Sequence, residues 1–380
     1  MKKIIALVLV LVMALALCAC GGTAPAAPSA PAAPAENNSS APAAPAAPAE
    51  AGDQSDFVHV DIDYATFLTG TNPAQIIIDT FQAKLDELMP GMVTITTYDN
   101  GSLLGAVDIH EGVANGTAQM GIVQPSLNPT HYPVSMLLEC PGIPYNSFEN
   151  ASRVWTDMLR THDFEEYSDV KILFGTGAGP GAIFSNKPLN SMADFSGEQI
   201  RAVGTSADEV KAWGATPVSM EFSEVYEALR SGLVDGCFTN FGAGATFKFQ
   251  EIVTDCLMTP IYNSVYTYVL NLDTWNSMPA AQQELFMQAL DMMLEEYGFV
   301  YGDAGYHNLQ INRDCYEGLN VSWQEGDFLQ ECVDAVAPMM GEYAEANGLT
   351  DLIPEIQALA DKYNANFTMD DFKALFTWED

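Results

Sequence analysis

The sequence predicts an α/β fold of two lobes, and three observations support this prediction. From Val58 onward, short apolar runs typical of strands alternate with stretches of helical spacing, an order that favours mostly parallel sheets. About 325 residues follow the N-terminal region, enough for two ordinary domains with complete cores. Predicted strands that run into polar residues occur in both halves of the chain, as expected of a cleft between two domains.

The first half begins with an alternating strand at Val58, Val60 and Ile62. The loop over 69–72 follows, in which Asn72 can cap the next helix, with Pro73 at its first position. The remaining predicted elements of this half are a helix over 76–88, strands over 93–98 and 119–123, and a helix over 106–115.

The stretch from Ser196 to Thr239 is the most informative part of the second half. It places Arg201 on a short apolar strand, followed by a helix, a second strand, a helix opened by Ser223 and closed by Gly232, and a third strand. On residue type alone, an arginine on an apolar strand is most often a member of a structural ion pair. The stretch therefore predicts α/β layering with one positive charge of undecided role.

A glycine-rich run over 175–181 follows the strand-like segment from Val170 to Phe174. It lacks the spacing of a dinucleotide-binding loop and the Lys-Ser/Thr pair of the P-loop, and a strand-like segment follows it where those motifs need a helix. We interpret the run as a crossover or hinge, because glycine leaves the backbone torsions unusually free.

Residues 1–19 have the pattern of a lipoprotein signal peptide. Lys2 and Lys3 form a basic start, and the apolar run over 4–17 is short for a membrane span. The segment that follows resembles a bacterial lipobox with Cys20 as the lipidated residue, and a two-chain lipid holds a protein stably on a membrane. The alternative is cleavage at an alanine without a lipid. The Ala/Pro-rich stretch over 20–56 predicts an extended tether.

The charge balance is strongly acidic, with 14 Lys plus Arg against 50 Asp plus Glu. Such a surface repels nucleic acid and anionic lipid, so nucleic-acid binding is excluded and membrane contact is expected through the lipid anchor only. Any anion site must depend on local donors. The arginine candidates are Arg153, Arg160, Arg201, Arg230 and Arg313.

Residue patterns for metal or catalytic chemistry are missing from the sequence. The five histidines form no pair at helical spacing, and Cys140, Cys237, Cys256, Cys315 and Cys332 show no metal-binding spacing. We therefore expect no metal and no cofactor. A bridge such as Cys237 to Cys256 and buried free thiols both remain open. No nucleophile–base constellation can be placed on matching elements, so the sequence does not indicate an enzyme.

Several motifs resemble, in order and spacing, the solute-binding proteins of TRAP transporters, the DctP-type family. The motifs are Leu103-Leu104-Gly105, Glu111-Gly112-Val113-x-x-Gly116, Tyr132-Pro133, Ser185-Asn186-Lys187-Pro188-Leu189, Asp194-Phe195-x-Gly197, Gly214-Ala215-x-Pro217, Ser223-Glu224-Val225-Tyr226-x-Ala228-Leu229-x-x-Gly232-x-Val234-Asp235-Gly236 and Asn271-x-x-x-Trp275-x-x-x-Pro279. The resemblance covers nearly everything after the linker. It implies a two-lobed periplasmic-binding-protein-like fold with a long helix, from Pro279 to about Glu317, that spans both lobes. Lobe I is expected over 57–176 and 265–306, and lobe II over 177–264 and 307–380.

The resemblance also implies that Arg201 clamps the carboxylate of an organic acid. A planar guanidinium donates two parallel hydrogen bonds to a carboxylate, a geometry that lysine cannot copy. Phe222 falls where relatives place an aromatic side chain over the ligand, and which of Thr239 and Asn240 faces the cleft is undecided. The complete set of expected substrate contacts is Arg201, Phe222, Thr239, Asn240, Gln124, Asn72 and Phe184.

Three positions depart from better-known relatives. Gln124 replaces an acidic residue of sialic-acid-binding relatives, Leu127 replaces an arginine, and Gly181 lies where many relatives carry a second arginine. These differences argue against sialic acid and leave an uncharged lobe opposite Arg201, so a monocarboxylate with an apolar or aromatic body is expected. Candidates for aromatic walls or for core packing are Tyr262, Tyr266 and Tyr268.

The implied function is that of a lipid-anchored receptor in the cell envelope. It would capture an organic acid by lobe closure and deliver it to the small and large membrane subunits of a symporter. An ABC-type solute-binding lipoprotein is an alternative, against which the motif over 223–236 argues. An envelope hydrolase and a sensor or adhesion lipoprotein are others. Closure would bend the chain at 175–181, at 263–266 and in the long helix.

Overall fold

The computed structural model describes residues 55–68, 74–178, 180–220, 222–298 and 310–374. The predicted signal peptide, Cys20, almost all of the linker and Asn72 lie outside these residues. Among the helices of the described part, none is long and apolar enough to cross a membrane. The five cysteines from Cys140 to Cys332 are buried free thiols.

The first sheet forms the core of lobe I. Its strands, numbered in chain order, are Val60–Ala65 (β1), Val93–Tyr98 (β2), Met120–Val123 (β3), Val170–Gly177 (β4) and Val265–Asn271 (β10). They lie in the order β2-β1-β3-β10-β4. Strand β1 is parallel to both β2 and β3, whereas β10 is antiparallel to both of its neighbours because it returns from the other lobe.

The second sheet forms the core of lobe II. Its strands are Gly181–Ser185 (β5), Gln199–Arg201 (β6), Thr216–Val218 (β7), Gly236–Asn240 (β8), Asp255–Thr259 (β9) and Asn320–Trp323 (β11). They lie in the order β11-β9-β5-β8-β6-β7. Strand β6 is parallel to β7 and β8, with Arg201 opposite Val218 and Cys237. Arg201 is therefore at the carboxyl end of its strand, where ligands bind in such sheets.

Helices cover both sheets and follow the strands as the sequence predicts. They are α1 Ala74–Leu88, α2 Ile109–Ala114, α3 Pro133–Glu139, α4 Phe148–Thr161, α5 Thr205–Ala212, α6 Phe222–Ser231, α7 Gly242–Thr246, α8 Leu272–Ser277, α9 Ala280–Met293, α10 Gln310–Glu317, α11 Gly326–Asn347, α12 Ile353–Asn364 and α13 Met369–Ala374. Local chemistry fixes some ends. Ser147 Oγ accepts the Asn150 N–H at 3.0 Å to cap α4, and Gly232, with φ +72°, terminates α6.

The long helix predicted from Pro279 to Glu317 is described at its two ends. Helix α9 continues into a π-helical segment over Leu294–Gly298, and α10 follows the residues outside the described part. Phe286 and Leu290 pack into the lobe I core, whereas Cys315 and Tyr316 pack into the lobe II core. The two ends of this predicted helix thus contact different lobes.

Helix α11 also contacts both lobes, which the sequence did not predict. Cys332 and Val336 pack in the lobe II core, and Met340 and Ala344 in the lobe I core, with Pro338 between them. Helix α12 then packs against α4 of lobe I. The sequence placed all of 307–380 in lobe II. The structure instead places the chain from about residue 340 to α12 on lobe I, because its apolar side chains complete that core.

The chain crosses between the sheets after β4 and again between β9 and β10, and the Ala178 N–H donates to Ser264 O at 2.7 Å. Gly175 and Gly177 lie inside β4. A Cβ would come within 2.1 Å of the Trp155 ring at the first position and within 2.3 Å of Ala151 at the second. These two glycines permit close packing of α4 on the sheet, so the hinge interpretation does not apply to them.

Candidate functional site

A cleft of about 920 Å³ lies where the two lobes meet. Lobe I contributes Gln124 and Ser126, which follow β3. Lobe II contributes Arg201 at the end of β6, and Thr239 and Asn240 at the end of β8. The structure therefore brings a strand end of lobe I close to strand ends of lobe II that are more than 70 residues further along the chain, as the parallel-sheet argument predicts.

Arg201 is 5% exposed and lines this cleft. Its Nε and Nη2 donate to the carbonyl oxygen of Met220 at 3.3 and 3.1 Å. Its guanidinium carbon lies 4.6 Å from the centroid of the Phe222 ring, within cation–π distance. These contacts fix the orientation of the Arg201 guanidinium. They leave its Nη1 hydrogens without an oxygen acceptor among the described residues.

The other arginines with described side chains have acidic partners. Arg153 pairs with Glu149 at 2.8 Å, Arg160 pairs with Asp291, and Arg230 lies 2.6 Å from Glu227. Within the described ranges, no carboxylate oxygen lies within 4.0 Å of the Arg201 guanidinium. Among the described residues, Arg201 is thus an arginine that lines the cleft without the structural ion pair that its residue type alone would favour. The side chain of Arg313 lies outside the described residues.

Two phenylalanines form an aromatic wall on lobe II. The rings of Phe222 and Phe247 are 4.4 Å apart between centroids, and both line the cleft. Phe247 is 37% exposed, which is unusual for a large apolar side chain. Phe222 was expected here. Phe247 was missed because it follows a Gly-Ala-rich segment with no motif to mark it.

Thr239 and Asn240 both line the cleft. Asn240 Oδ1 accepts the Ala243 N–H at 3.1 Å and so stabilises the start of α7. The Thr239 hydroxyl makes no hydrogen bond with the described residues. The Thr239 hydroxyl and the Asn240 Nδ2 group are therefore both side-chain donors without an acceptor among the described residues.

The described residues of the lobe I wall next to Gln124 are uncharged. Gln124 Nε2 donates to Ser126 Oγ at 3.3 Å, and Leu127, which is 42% exposed, lines the same cleft. A side chain at Gly181 is excluded, since a Cβ there would lie 2.5 Å from Tyr262. The loss of a second cation at Gly181 is thus a consequence of packing.

The floor of the cleft is formed where the chain crosses between lobes. It includes Tyr262, Tyr266 and Tyr268, of which Tyr268 is 1% exposed and stacks in the core on Phe174 at 4.1 Å. Glu139, the last residue of α3, also lines the floor. Burial raises the pKa of Glu139 to about 7, against the lowering effect of hydrogen bonds from Val265 and Ser264. Sequence reasoning missed Glu139 because one acid among 50 gives no signal.

One expected contact, Phe184, does not join the site. Phe184 is fully buried in the lobe II core, with its ring 5.3 Å from that of Phe249 and outside the cleft lining. Strand β5 is buried on both faces, so the sequence offers no alternation to show which face Phe184 occupies. Asn72 lies outside the described residues. In the described part of the chain, no group of three or more His, Cys, Asp or Glu side chains is placed to hold a metal ion.

Comparison with known families gives one match over most of the chain. The model of the family described as bacterial extracellular solute-binding protein, family 7, matches residues 64–347. The chain is 25% identical over 283 residues to a solute-binding protein of Sulfitobacter sp. strain NAS-14.1, covering 73% of this chain and 79% of that protein. It is 26% identical over 209 residues to the C4-dicarboxylate-binding periplasmic protein DctP of Rhodobacter capsulatus, covering 52% and 62%.

Solved structures share the fold. A TRAP solute-binding protein from a marine metagenome, described as specific for aromatic acid ligands, has a TM-score of 0.72 at 20% identity, covering 80% of this chain and all of that one. A TRAP periplasmic solute-binding protein from Desulfovibrio salexigens has a TM-score of 0.70 at 22% identity, covering 85% and 99%. At these identities the likeness shows the two-lobed α/β fold.

Proposed function

The chain belongs to family 7 of the bacterial extracellular solute-binding proteins, and we propose that it is the receptor of a TRAP-type transporter for an organic monocarboxylate. The observation that carries the proposal is Arg201, a buried guanidinium in the cleft with no carboxylate partner among the described residues. A buried charge without a counter-ion is costly, so an anionic ligand would complete the site. The uncommitted Thr239 hydroxyl is a second donor for the same carboxylate.

The cleft favours one carboxylate over two. Arg201 is the cation among the described residues that line it, and the opposite wall offers the neutral side chains Gln124, Ser126 and Leu127. A second carboxylate would find no cation there. The net charge of −36 also repels a second negative charge.

The body of the ligand is expected to be apolar or aromatic. Phe67, Phe222, Phe247 and Tyr262 offer ring surfaces around the cleft, and flat rings pack well on such walls. Support comes from structural neighbours that are described in complex with metahydroxyphenylacetate, benzoate and mandelate. Other neighbours bind pyroglutamic acid and sn-glycerol-3-phosphate, so the family accepts several anions.

Capture follows from contacts that both lobes make at once. Arg201 and Thr239 belong to lobe II and Gln124 to lobe I, so a small acid that touches all three stabilises the arrangement in which the lobes approach. The filled receptor would then deliver the acid to the small and large membrane subunits of a symporter. A lipid on Cys20 and the extended linker would keep it near those subunits.

A ligand screen tests the proposal. The protein from Ala51 onward, which forms one compact unit, is purified and its co-purified acids are identified by mass spectrometry. Melting temperatures are then compared with benzoate, mandelate, 3-hydroxybenzoate, pyroglutamate, succinate and malate. A ligand at a hundredfold excess over its Kd stabilises the fold by about 2.7 kcal/mol, which a melting shift resolves. We expect monocarboxylates to give the largest shifts. A series led by succinate and malate would contradict the monocarboxylate assignment.

A further inference from the structure

Glu139 is a buried acid on the floor of the ligand cleft. It is 3% exposed, lines the cleft and forms no ion pair with the described residues. Its backbone carbonyl oxygen accepts the Thr205 hydroxyl of lobe II at 2.9 Å, so the residue lies where α3 of lobe I meets α5 of lobe II. A carboxyl in such a place must either find a cation or hold a proton.

The hydrogen bonds of Glu139 use one of its two oxygens. Oε1 accepts the Ser264 hydroxyl at 3.0 Å and the Val265 N–H at 2.9 Å. Oε2 accepts no hydrogen bond from the described residues and, unlike the sealed oxygens of Glu209, is open to the cleft. Because both lone pairs of Oε1 are engaged, a proton on this carboxyl lies on Oε2, where it can be donated into the cleft.

The titratable groups closest to Glu139 are acids, phenols and a thiol, and none of those described is a cation that would stabilise its carboxylate. They are Glu209 and Asp208 on α5, Cys140 beside it on the chain, Tyr262 and Tyr266 at the crossing to β10, and Tyr343 on α11. Burial raises the pKa of Glu209 well above its usual range, and the charge of Glu139 raises it further. The cation that lines the same cleft is Arg201, which the proposed ligand carboxylate would neutralise.

We propose that Glu139 contacts the bound acid as a neutral carboxylic acid that donates its Oε2 hydrogen to a ligand oxygen, so that binding takes up one proton from solution. This inference rests on the proposed function, since it requires an anion in the cleft. A bound anion disfavours the ionised form of Glu139 still further and thus holds the proton in place.

The direction of the pH effect follows from the free protein. The pKa of Glu139 is raised to about 7, so the carboxyl is largely protonated at pH 6 and largely ionised at pH 8. Binding at pH 6 therefore needs almost no proton uptake, whereas binding at pH 8 must first protonate Glu139. The affinity is at its maximum below about pH 6, is about half of that value at pH 7, and falls by about tenfold between pH 6 and pH 8.

Calorimetry in two buffers tests the inference, with benzoate and mandelate as the probes. At each pH, titrations are run in two buffers with different heats of ionisation, phosphate and Bis-Tris at pH 6 and phosphate and Tris at pH 8. The difference between the two measured heats gives the number of protons taken up. We expect nearly zero protons at pH 6 and nearly one at pH 8. Glu139→Gln should remove both the proton uptake and the pH dependence, since its amide oxygen still accepts from Ser264 and Val265 while its N–H group donates into the cleft.

Glu224→Gln is the matched control, because Glu224 is an exposed acid that lines the same cleft. It changes the net charge equally and should keep the pH profile of the unmodified protein. Binding of benzoate or mandelate without proton uptake at pH 8 would overturn the role of Glu139 and leave the receptor function standing. The number of protons taken up is measured on the unmodified protein, so this measurement tests the role of Glu139 even if Glu139→Gln does not fold. Failure of both acids to bind the unmodified protein would count against the proposed function, and the inference would fall with it.

Discussion

The two walls of the cleft differ in charge and in how firmly their polar groups are held. On lobe II, Arg201 is held by hydrogen bonds to the Met220 carbonyl and by the Phe222 ring. On lobe I, Gln124 has one long hydrogen bond to Ser126. Lobe II thus supplies a rigid anchor for the carboxylate, and the choice among acids rests with the neutral wall opposite.

The anchor is tested by Arg201→Lys, for which we expect the largest effect. Lysine keeps the charge but loses the planar fork, so binding of the best acid should weaken by about 1.5–3 kcal/mol, the range for a charge-assisted hydrogen bond. Isothermal calorimetry measures the loss. Arg230→Lys serves as the control, since Arg230 is exposed and paired with Glu227 on lobe II. Equal affinity in both variants would remove the assignment of Arg201 as anchor.

The neutral wall is tested by Gln124→Arg, which gives lobe I a cation of its own. A second guanidinium facing the cleft should improve succinate binding by about 1.5 kcal/mol, or roughly tenfold, because it offers the second carboxylate a charged partner. Thr117→Arg adds the same charge at an exposed site of lobe I and controls for the long-range field. If both variants increase the affinity for succinate equally, the neutral wall of lobe I does not determine the preference for monocarboxylates over dicarboxylates.

The aromatic part of the lobe II wall is tested by Phe247→Ala. Removal of one ring of the Phe222–Phe247 pair should weaken the binding of benzoate and mandelate by about 1 kcal/mol, the usual contribution of an aromatic contact. The binding of pyroglutamate, which has no aromatic ring, should weaken less. Leu233→Ala is the control, because Leu233 is 61% exposed on the same lobe and does not line the cleft. Identical losses for all three acids would argue against a ring-binding surface.

The approach of the two walls is tested by small-angle scattering, where the expected change is smallest. A saturating acid should reduce the radius of gyration, because Arg201 and Gln124 must contact the same small molecule. Arg201→Lys at the same acid concentration should show a smaller fraction of the compact form. An unchanged radius of gyration at saturation would indicate that the acid contacts only one lobe. The proposal that both walls of the cleft bind the ligand would then be wrong.

Sequence reasoning succeeded where a residue type and a strand end coincide. Arg201 could be placed in the cleft because it is the last residue of a short strand in a parallel layer, and Gln124 because it directly follows another. The order of strands and helices could be predicted for the same reason, since hydrophobic periodicity marks each element.

The misses have physical causes. Phe184 lies on a strand buried on both faces, so its direction depends on tertiary packing alone. Gly175 is a glycine because Trp155 needs the space, which a sequence cannot distinguish from a need for flexibility. Glu139 gains its properties from burial beside Glu209, a neighbour 70 positions away. Helix α12 joins lobe I through long-range contacts that no local pattern records.

Pro338 has a mechanical consequence for helix α11. The residues before it belong to the lobe II core and those after it to the lobe I core, so any change in the angle between the lobes bends the helix there. In a helix without proline, bending of this kind would stretch the backbone hydrogen bond at that position. Proline has no N–H to donate, so at this position there is no such bond to break. Helix α11 can therefore bend most easily at Pro338, which lies at the boundary between the two lobes that the helix contacts.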